Sequence, residues 1–294
     1  MCGICGYFGI KRVLEVLGYE EIKNLSLSIE HRGRDATGIY CNSVNKIYKA
    51  PLRPKTFFEY SEQFTEFIDA IENSDAVICH NRLSTSGSPE INRNNQPFQL
   101  CDYVFAHNGV YWFDYSEYHR KITNKTKIER IADNTIDNDS YELFKILFNK
   151  NLEINEKTIV SAIENDYSLL SYAFSVYDSK NDVLYLSRDD EKPLYYLTDS
   201  KTTLIYCSES EYLKKLKKKI DLDLKLYQVK DYELIKVEKI YNKIYIDKYK
   251  IAVEYNYRYN YKYYSKTEKH KNSNRKQSDI YYQYYYNDFE YYYK

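Results

Sequence analysis

The positions of the glycines constrain the fold of this chain more than any other feature of its sequence. All eight glycines occur in the first 109 residues, and seven of them stand in the stretches MCGICGYFG, HRGRDATG, HNRLSTSG and HNG. Glycine permits a positive φ and a close backbone approach that a side chain would block. We therefore expect these four stretches to be the places where backbone geometry matters most.

Charge and composition exclude several classes of function. The 294 residues carry 43 basic and 43 acidic side chains, so neither nucleic acid nor a membrane is indicated as a partner. No apolar run is long enough to span a bilayer, and the first residues do not have the pattern of a secretory signal. The sequence therefore predicts a cytoplasmic protein with reduced thiols.

The cysteine pattern gives no sign of a metal, and nothing in the sequence indicates an organic cofactor. Cys2 and Cys5 form a C-x-x-C pair, but a zinc site would need a second pair of ligands, and the other four cysteines are scattered. We therefore predict that the chain works without a cofactor.

Hydrophobic periodicity predicts an α+β fold with two groups of strands. Strands are predicted at 4–10, 38–50 (as a hairpin), 76–83, 103–113, 169–177, 183–187, 194–197 and 203–207, and helices at 14–30, 57–71 and 140–148. The lysine-rich run near Leu213 is typical of the solvated face of a helix. This order is not the regular β-α-β alternation of a parallel sheet, so we expect sheets and helices in layers.

The C-terminal residues differ in composition from the rest of the chain. The last 44 residues contain 14 of the 37 tyrosines, in two stretches separated by a polar run. The first stretch alternates with period two and could form a strand, although a low-complexity tail fits the whole segment better. Tyrosines interleaved with lysines could also stack on single-stranded nucleic acid, but the acidic residues among them make this unlikely.

The position of Cys2 directly after Met1 indicates a special role for the end of the chain. Methionine is readily removed before a small residue such as cysteine, and Cys2 would then carry both a thiol and a free α-amino group. An unperturbed α-amino group has a pKa of about 8, which suits a general base held beside the thiol. Residues at the start of this chain therefore predict an N-terminal cysteine nucleophile.

Five stretches in this order resemble the class II glutamine amidotransferase domain, an N-terminal-nucleophile hydrolase. They are MCGICG, HRGRDATG, HNRLSTSGSPEINRNNQPF, FAHNGVYWF and NDSYELF. The similarity is to the glutaminase domains of glucosamine-6-phosphate synthase and asparagine synthetase. The resemblance implies a four-layer α-β-β-α sandwich over residues 2–236, followed by a Tyr/Lys-rich extension over 237–294.

The same resemblance implies a catalytic mechanism. Cys2 would attack the side-chain amide of glutamine and form a thioester, with release of ammonia and then of glutamate. The side-chain amide of Asn108 and the backbone N–H of Gly109 match the donors that stabilise the oxyanion in this family.

Glutamine recognition is implied by a second set of residues. Arg82 matches the arginine that binds the α-carboxylate of glutamine, and Thr85 matches a hydroxyl donor near it. Asp139 matches the acid that pairs with the α-ammonium group. Arg32 and Asp35 also match a family motif, where we expect them to hold the loop beneath the nucleophile.

Two departures from the family pattern bear on function. Leu83 and Ser86 stand where the sugar-phosphate synthase has a tryptophan and a histidine, so its ammonia channel cannot be carried over. The S-G-G-x-D-S pyrophosphate loop of asparagine synthetase is absent. We therefore expect a glutaminase unit that delivers ammonia to a partner synthase in trans. The alternatives are an N-terminal-nucleophile hydrolase that cleaves another amide, and a catalytically silent binding or regulatory module.

Overall fold

A computed structural model describes residues 1–111, 127–165 and 169–253 of the chain. Met1–Val253 form one compact unit, and Glu254–Lys294 form a second unit that lies outside the described residues. The tyrosine-rich stretches of the C-terminal segment, for which a strand or a low-complexity tail was predicted, therefore lie outside the described residues.

Seven antiparallel strands form the first sheet, here called sheet A. Their order is β11-β9-β10-β1-β4-β2-β3. The strands are β1 (Gly3–Gly9), β2 (Ala36–Cys41), β3 (Lys46–Ala50), β4 (Ala76–Arg82), β9 (Tyr195–Thr198), β10 (Thr203–Cys207) and β11 (Lys225–Gln228). Strand β1 is central, and the register places Gly3 opposite Asn81 of β4 and Cys5 opposite Cys207 of β10.

Six antiparallel strands form the second sheet, here called sheet B, in the order β13-β12-β8-β7-β6-β5. The strands are β5 (Phe98–Leu100), β6 (Tyr103–Tyr111), β7 (Leu169–Asp178), β8 (Val183–Arg188), β12 (Glu233–Ile240) and β13 (Lys243–Lys250). Strand β6 carries the HNG motif, and its pairing with β7 shifts register between Val110 and Tyr111.

Helices cover the outer face of each sheet. The helices are α1 (Val13–Val16), α2 (Tyr19–Ser28), α3 (Pro54–Ser61), α4 (Thr65–Glu72), α5 (Lys127–Ile131), α6 (Asp139–Ile146), α7 (Glu156–Asn165) and α8 (Ser210–Lys219). Side chains from α2, α3, α4 and α8 share one buried cluster with sheet A, and those from α6 and α7 share another with sheet B. Two layers of helices thus enclose the sheets.

The third buried cluster fills the space between the two sheets. Alternate residues of β1 supply it, with Ile4 and Phe8 facing sheet B, while Cys5 and Tyr7 face the helices. This alternation is the period-two pattern of a strand that is buried on both faces. The predicted four-layer α-β-β-α sandwich is confirmed.

Most predicted elements occur, but the helices are shorter than their periodicity suggested. The predicted helix at 14–30 is broken at Gly18, which has a φ of 75° and precedes α2. The predicted helix at 57–71 is divided into α3 and α4. In both cases a longer amphipathic pattern is shared by two short helices that pack on the same face of sheet A.

The compact unit continues past the boundary that the sequence suggested at residue 236. Residue 236 lies within β12, which pairs with β8 on one side and with β13 on the other. The hairpin of β12 and β13 completes sheet B, so the chain remains part of the sandwich as far as Val253.

None of the helices in the described part of the chain has the length and apolarity that a bilayer span requires.

Candidate active site

Cys2 lies immediately before β1, beside the end of β4. Its Sγ atom is 3.4 Å from the backbone nitrogen of Leu83, which donates to it, and 3.4 Å from the Leu83 carbonyl oxygen, to which the thiol donates. Because Gly3 pairs with Asn81, the antiparallel register of β1 and β4 brings the cysteine to this point. The half-buried thiol is therefore held against the backbone that leads into the loop after β4.

Burial and nearby charges act on the thiol in opposite directions. Burial raises the pKa of the Cys2 thiol above its ordinary value, whereas the Leu83 N–H, the chain's amino terminus and the Arg82 guanidinium lower it. Burial also lowers the pKa of the Met1 α-amino group, with Arg32 contributing in the same direction. The Met1 amino group is therefore neutral over a wider pH range than in water.

Arg32 fixes the backbone of the cysteine. Its Nε donates to the carbonyl oxygen of Cys2 at 3.0 Å, and its Nη1 donates to Glu209 at 3.1 Å. The following residue, Gly33, packs so closely on β4 that an added Cβ would lie 2.5 Å from the Asn81 carbonyl oxygen. The HRGRDATG motif thus supports the backbone beneath Cys2, which is the structural role predicted for Arg32.

Arg82 is buried at the end of β4 and is held by the loop that follows it. One terminal nitrogen donates to Oδ1 of Asn95 at 2.6 Å, and the other donates to the backbone carbonyls of Ser86 and Gly87. Asp35 binds the same loop, because its Oδ2 accepts from the backbone N–H of Ser84 at 2.7 Å. The arginine lies close enough to Cys2 and Asp139 to interact with both electrostatically.

Asp139 is the first residue of α6 and faces the end of β6. Its Oδ2 accepts from the Tyr111 N–H at 3.1 Å, and its Oδ1 accepts from the Ser140 N–H at 2.9 Å. Burial raises the pKa of this carboxyl group, while those two hydrogen bonds and Arg82 lower it. Asp139 therefore anchors β6 where the register shifts, and its charge acts on Cys2 as well.

Asn108 is buried on the face of β6 that points toward sheet A. Neither its Nδ2 nor its Oδ1 has a hydrogen-bond partner in the described part of the chain. An unsatisfied buried amide costs about 1–3 kcal/mol, so one that persists in a folded protein calls for an explanation. Gly109 follows it, and an added Cβ there would lie 2.0 Å from the carbonyl oxygen of Ser171.

Three of the six predicted site residues lie close enough to interact, and the other three lie on the loop after β4 and on β6. Cys2, Arg82 and Asp139 interact electrostatically with one another, and Thr85 is exposed on the loop that follows Arg82. Gly109 is two residues before Tyr111, whose N–H binds Asp139. Asn108, the sixth, lies on the same strand and points into the space between the sheets.

Two buried histidines near this site were not predicted from the sequence to be functional. His80 is two residues before Arg82, and its Nε2 is 3.1 Å from the carbonyl oxygen of His107. His107 precedes Asn108, and its Nδ1 is 2.9 Å from Oγ of Ser140. The signal was present in the HNR and HNG motifs, but the hydrogen bonds that connect them are visible only in the fold.

The C-x-x-C pair does not form a site. Cys2 precedes β1, whereas Cys5 lies within it and faces the helices. Cys5 pairs across the sheet with Cys79 and Cys207, and all six cysteines are free thiols. No cluster that could hold a metal ion occurs among the described residues.

One comparison with known proteins matches a domain family. Residues 80–215 match the family model of a glutamine amidotransferase domain, a range that includes Arg82, Asn108, Gly109 and Asp139. A comparison with curated protein sequences gives no match.

Solved structures share the fold at low sequence identity. One is a glutamine phosphoribosylpyrophosphate (PRPP) amidotransferase from B. subtilis complexed with ADP and GMP; it is 16% identical, has a TM-score of 0.59, and the match covers 86% of this chain and 50% of that one. Another, described as the allosteric regulatory enzyme of purine biosynthesis, is 17% identical with the same TM-score and coverage. This chain therefore spans about half the length of these structures. The fold is that of PRPP amidotransferase, and the resemblance to a glutamine amidotransferase domain is confirmed.

Proposed function

We propose that this protein hydrolyses the side-chain amide of glutamine to glutamate and ammonia, with Cys2 as the nucleophile after removal of Met1. The observation that carries the proposal is the buried, unpartnered amide of Asn108. A donor kept free inside a protein is explained if a reacting oxygen satisfies it, and this is the role of an oxyanion hole. The proposed site would therefore combine a thiol, a buried donor and two opposite charges.

The reaction would proceed through a thioester. The neutral α-amino group of Cys2, acting directly or through one water molecule, takes the thiol proton while sulfur attacks the amide carbon. The tetrahedral oxyanion is held by the Asn108 amide and the Gly109 N–H. The carbon–nitrogen bond then breaks, the leaving nitrogen takes the proton and departs as ammonia, and water hydrolyses the thioester to glutamate and the free thiol.

Two charged residues would recognise the amino-acid end of glutamine. The Arg82 guanidinium binds the α-carboxylate, with the Thr85 hydroxyl beside it, and Asp139 binds the α-ammonium group. In this structure one terminal nitrogen of Arg82 donates to the backbone carbonyls of Ser86 and Gly87. We infer that the substrate carboxylate displaces them, so glutamine binding and movement of the loop after β4 are coupled.

The ammonia would be consumed by a partner synthase in trans, in the cytoplasm. Support for an ammonia acceptor comes from the match of residues 80–215 to a glutamine amidotransferase domain. The six free thiols also fit a reducing compartment. Glutamine labelled with ¹⁵N at the amide, added to extracts with the wild-type protein or with Cys2→Ala, tests this proposal. A metabolite that gains the label only with the wild type identifies the acceptor, whereas label found only in free ammonia contradicts transfer.

A substrate panel tests the reaction itself. Amide cleavage is measured as ammonia released from glutamine or N-acetylglutamine and as free amino acid released from a γ-glutamyl peptide. The proteins compared are the wild type, Cys2→Ala and the matched buried-thiol variant Cys41→Ala. We expect release from free glutamine by the wild type and Cys41→Ala only. A preference for the acylated substrates would indicate the other amide hydrolase, and no release from any substrate would favour a silent module.

A further inference from the structure

The backbone of His107 is held by side chains where a neighbouring strand is missing. Strand β5 pairs with β6 only as far as Phe105. The next N–H and C=O of β6 on the β5 side belong to His107, and β5 offers them no partner. A side-chain amide and an imidazole ring take the place of the strand. The His107 N–H donates to Oε1 of Gln96 at 2.7 Å, and its carbonyl accepts from Nε2 of His80 at 3.1 Å.

The His107 ring makes a third connection, to the helix that carries Asp139. Its Nδ1 is 2.9 Å from Oγ of Ser140 in α6. On its other side the ring lies against Gly109, where an added Cβ would be 2.5 Å from Nε2. The His107 ring therefore contacts both Gly109, a proposed oxyanion donor, and the first turn of α6, the helix that carries Asp139.

Both histidines are suited to permanent hydrogen bonds. Burial lowers the pKa of His80 and of His107 to about 3, so both rings stay neutral at neutral pH. Since Nε2 of His80 faces a carbonyl oxygen, that nitrogen carries the proton. Nδ1 of His80 and Nε2 of His107 have no partner of standard geometry among the described residues.

We propose that His80, Gln96 and Ser140 are positioning residues that fix the His107–Gly109 segment as a preformed oxyanion hole. The proposal rests on the glutaminase function proposed above. His80 holds the carbonyl that immediately precedes Asn108, so turning that peptide would move both oxyanion donors. Donors must lie within about 3 Å of the developing charge, and misplacement by about 1 Å can cost about 100-fold in rate.

The first test compares His80→Leu with His80→Gln. Glutamine can present an amide N–H near the position of Nε2, whereas leucine has no donor. We expect His80→Leu to lower kcat by about 10- to 100-fold with little change in KM, because the loss falls on the transition state. His80→Gln should recover most of that loss. Ser187→Ala is the matched control, since Ser187 is equally buried in sheet B and makes one bond, to the Glu233 carbonyl.

Rates are expressed per active site, titrated with 6-diazo-5-oxo-norleucine. A purely structural role for His80 would reduce the number of titratable sites but leave kcat per site unchanged, and that result overturns the proposal. Equal losses in His80→Leu and His80→Gln would also overturn it. If the wild type neither releases ammonia nor takes up the reagent, the proposed function fails, and this outcome is distinct from the other two.

Ser140 provides a second test that does not depend on the folding of the His80 variants. Ser140→Ala removes the hydroxyl that connects His107 to α6, whereas Ser140→Thr keeps it. We expect the alanine variant to lower kcat, because the His107 ring loses its connection to α6, and the threonine variant to remain near the wild type. Equal kcat values for all three proteins would contradict this part of the network.

Discussion

The two buried histidines make a quantitative prediction about acid stability. His80 and His107 have folded-state pKa values of about 3, against an ordinary value of 6.5. Because the folded pKa is depressed, the unfolded chain binds protons first as the pH falls. Their contribution to stability is therefore present in full above pH 6.5 and is lost progressively between pH 6.5 and about 3.

The size of the loss follows from proton linkage. Between pH 7.5 and pH 5.5 an unfolded histidine with a pKa of 6.5 becomes largely protonated, while a folded one with a pKa near 3 does not. Each such histidine then lowers the free energy of unfolding by about 1.4 kcal/mol, and the pair by about 3 kcal/mol. That is a large fraction of the roughly 5–15 kcal/mol by which proteins are stable.

Urea unfolding at the two pH values, followed by circular dichroism, measures this difference. The range stays above the pH at which ordinary carboxylates titrate, so the histidines dominate the change. Replacing one of them, as in His107→Asn, should remove about half of the pH dependence. An unfolding free energy that is the same at pH 7.5 and 5.5 would refute the reasoning, since it would mean that these rings are not buried as neutral groups.

Three further predictions concern the site. Asn108→Ala should lower kcat/KM by about 100- to 1,000-fold without loss of fold, because it removes an oxyanion donor; steady-state ammonia release and circular dichroism check this, and an unchanged kcat/KM would exclude the role. KM for glutamine should rise as the pH falls, starting above the ordinary aspartate value of about 3.9, because burial raises the pKa of Asp139 and its protonated form cannot pair with the ammonium; a KM independent of pH down to 4 would contradict this. Gly33→Ala should destabilise the fold by about 1–3 kcal/mol, because its Cβ would overlap the Asn81 carbonyl; a melting temperature equal to that of the wild type would show that this contact is not close.

Much of the sandwich could be predicted from periodicity. Strands such as β4, β8 and β10 are short apolar runs between turn residues, and buried strands have that pattern regardless of their neighbours. The hairpin of β12 and β13 was missed because lysines and a half-exposed face hide the alternation, and its place depends on the edge that β8 leaves open. Which strand pairs with the open edge of β8 depends on the tertiary structure and not on the local sequence.

The site was predictable as a set of residues but not as a network. Cys2, Arg82 and Asp139 could be named because their types match the charges of glutamine and the chemistry of an amide. The bonds from the His107 backbone to Gln96 and His80 could not be named, because they arise only where β5 ends and both β4 and the loop before β5 meet β6. Likewise, periodicity does not show that the Arg82 guanidinium already donates hydrogen bonds to the loop after β4.

The most direct test of the central claim is the intact mass of the protein before and after treatment with 6-diazo-5-oxo-norleucine, a glutamine-like alkylating agent. We predict that Met1 is absent and that one adduct forms on Cys2, that excess glutamine blocks it, and that Cys2→Ala does not acquire it while Cys41→Ala does. A protein that retains Met1, or that takes up no reagent at Cys2, would contradict the account of Cys2 as an N-terminal nucleophile for glutamine.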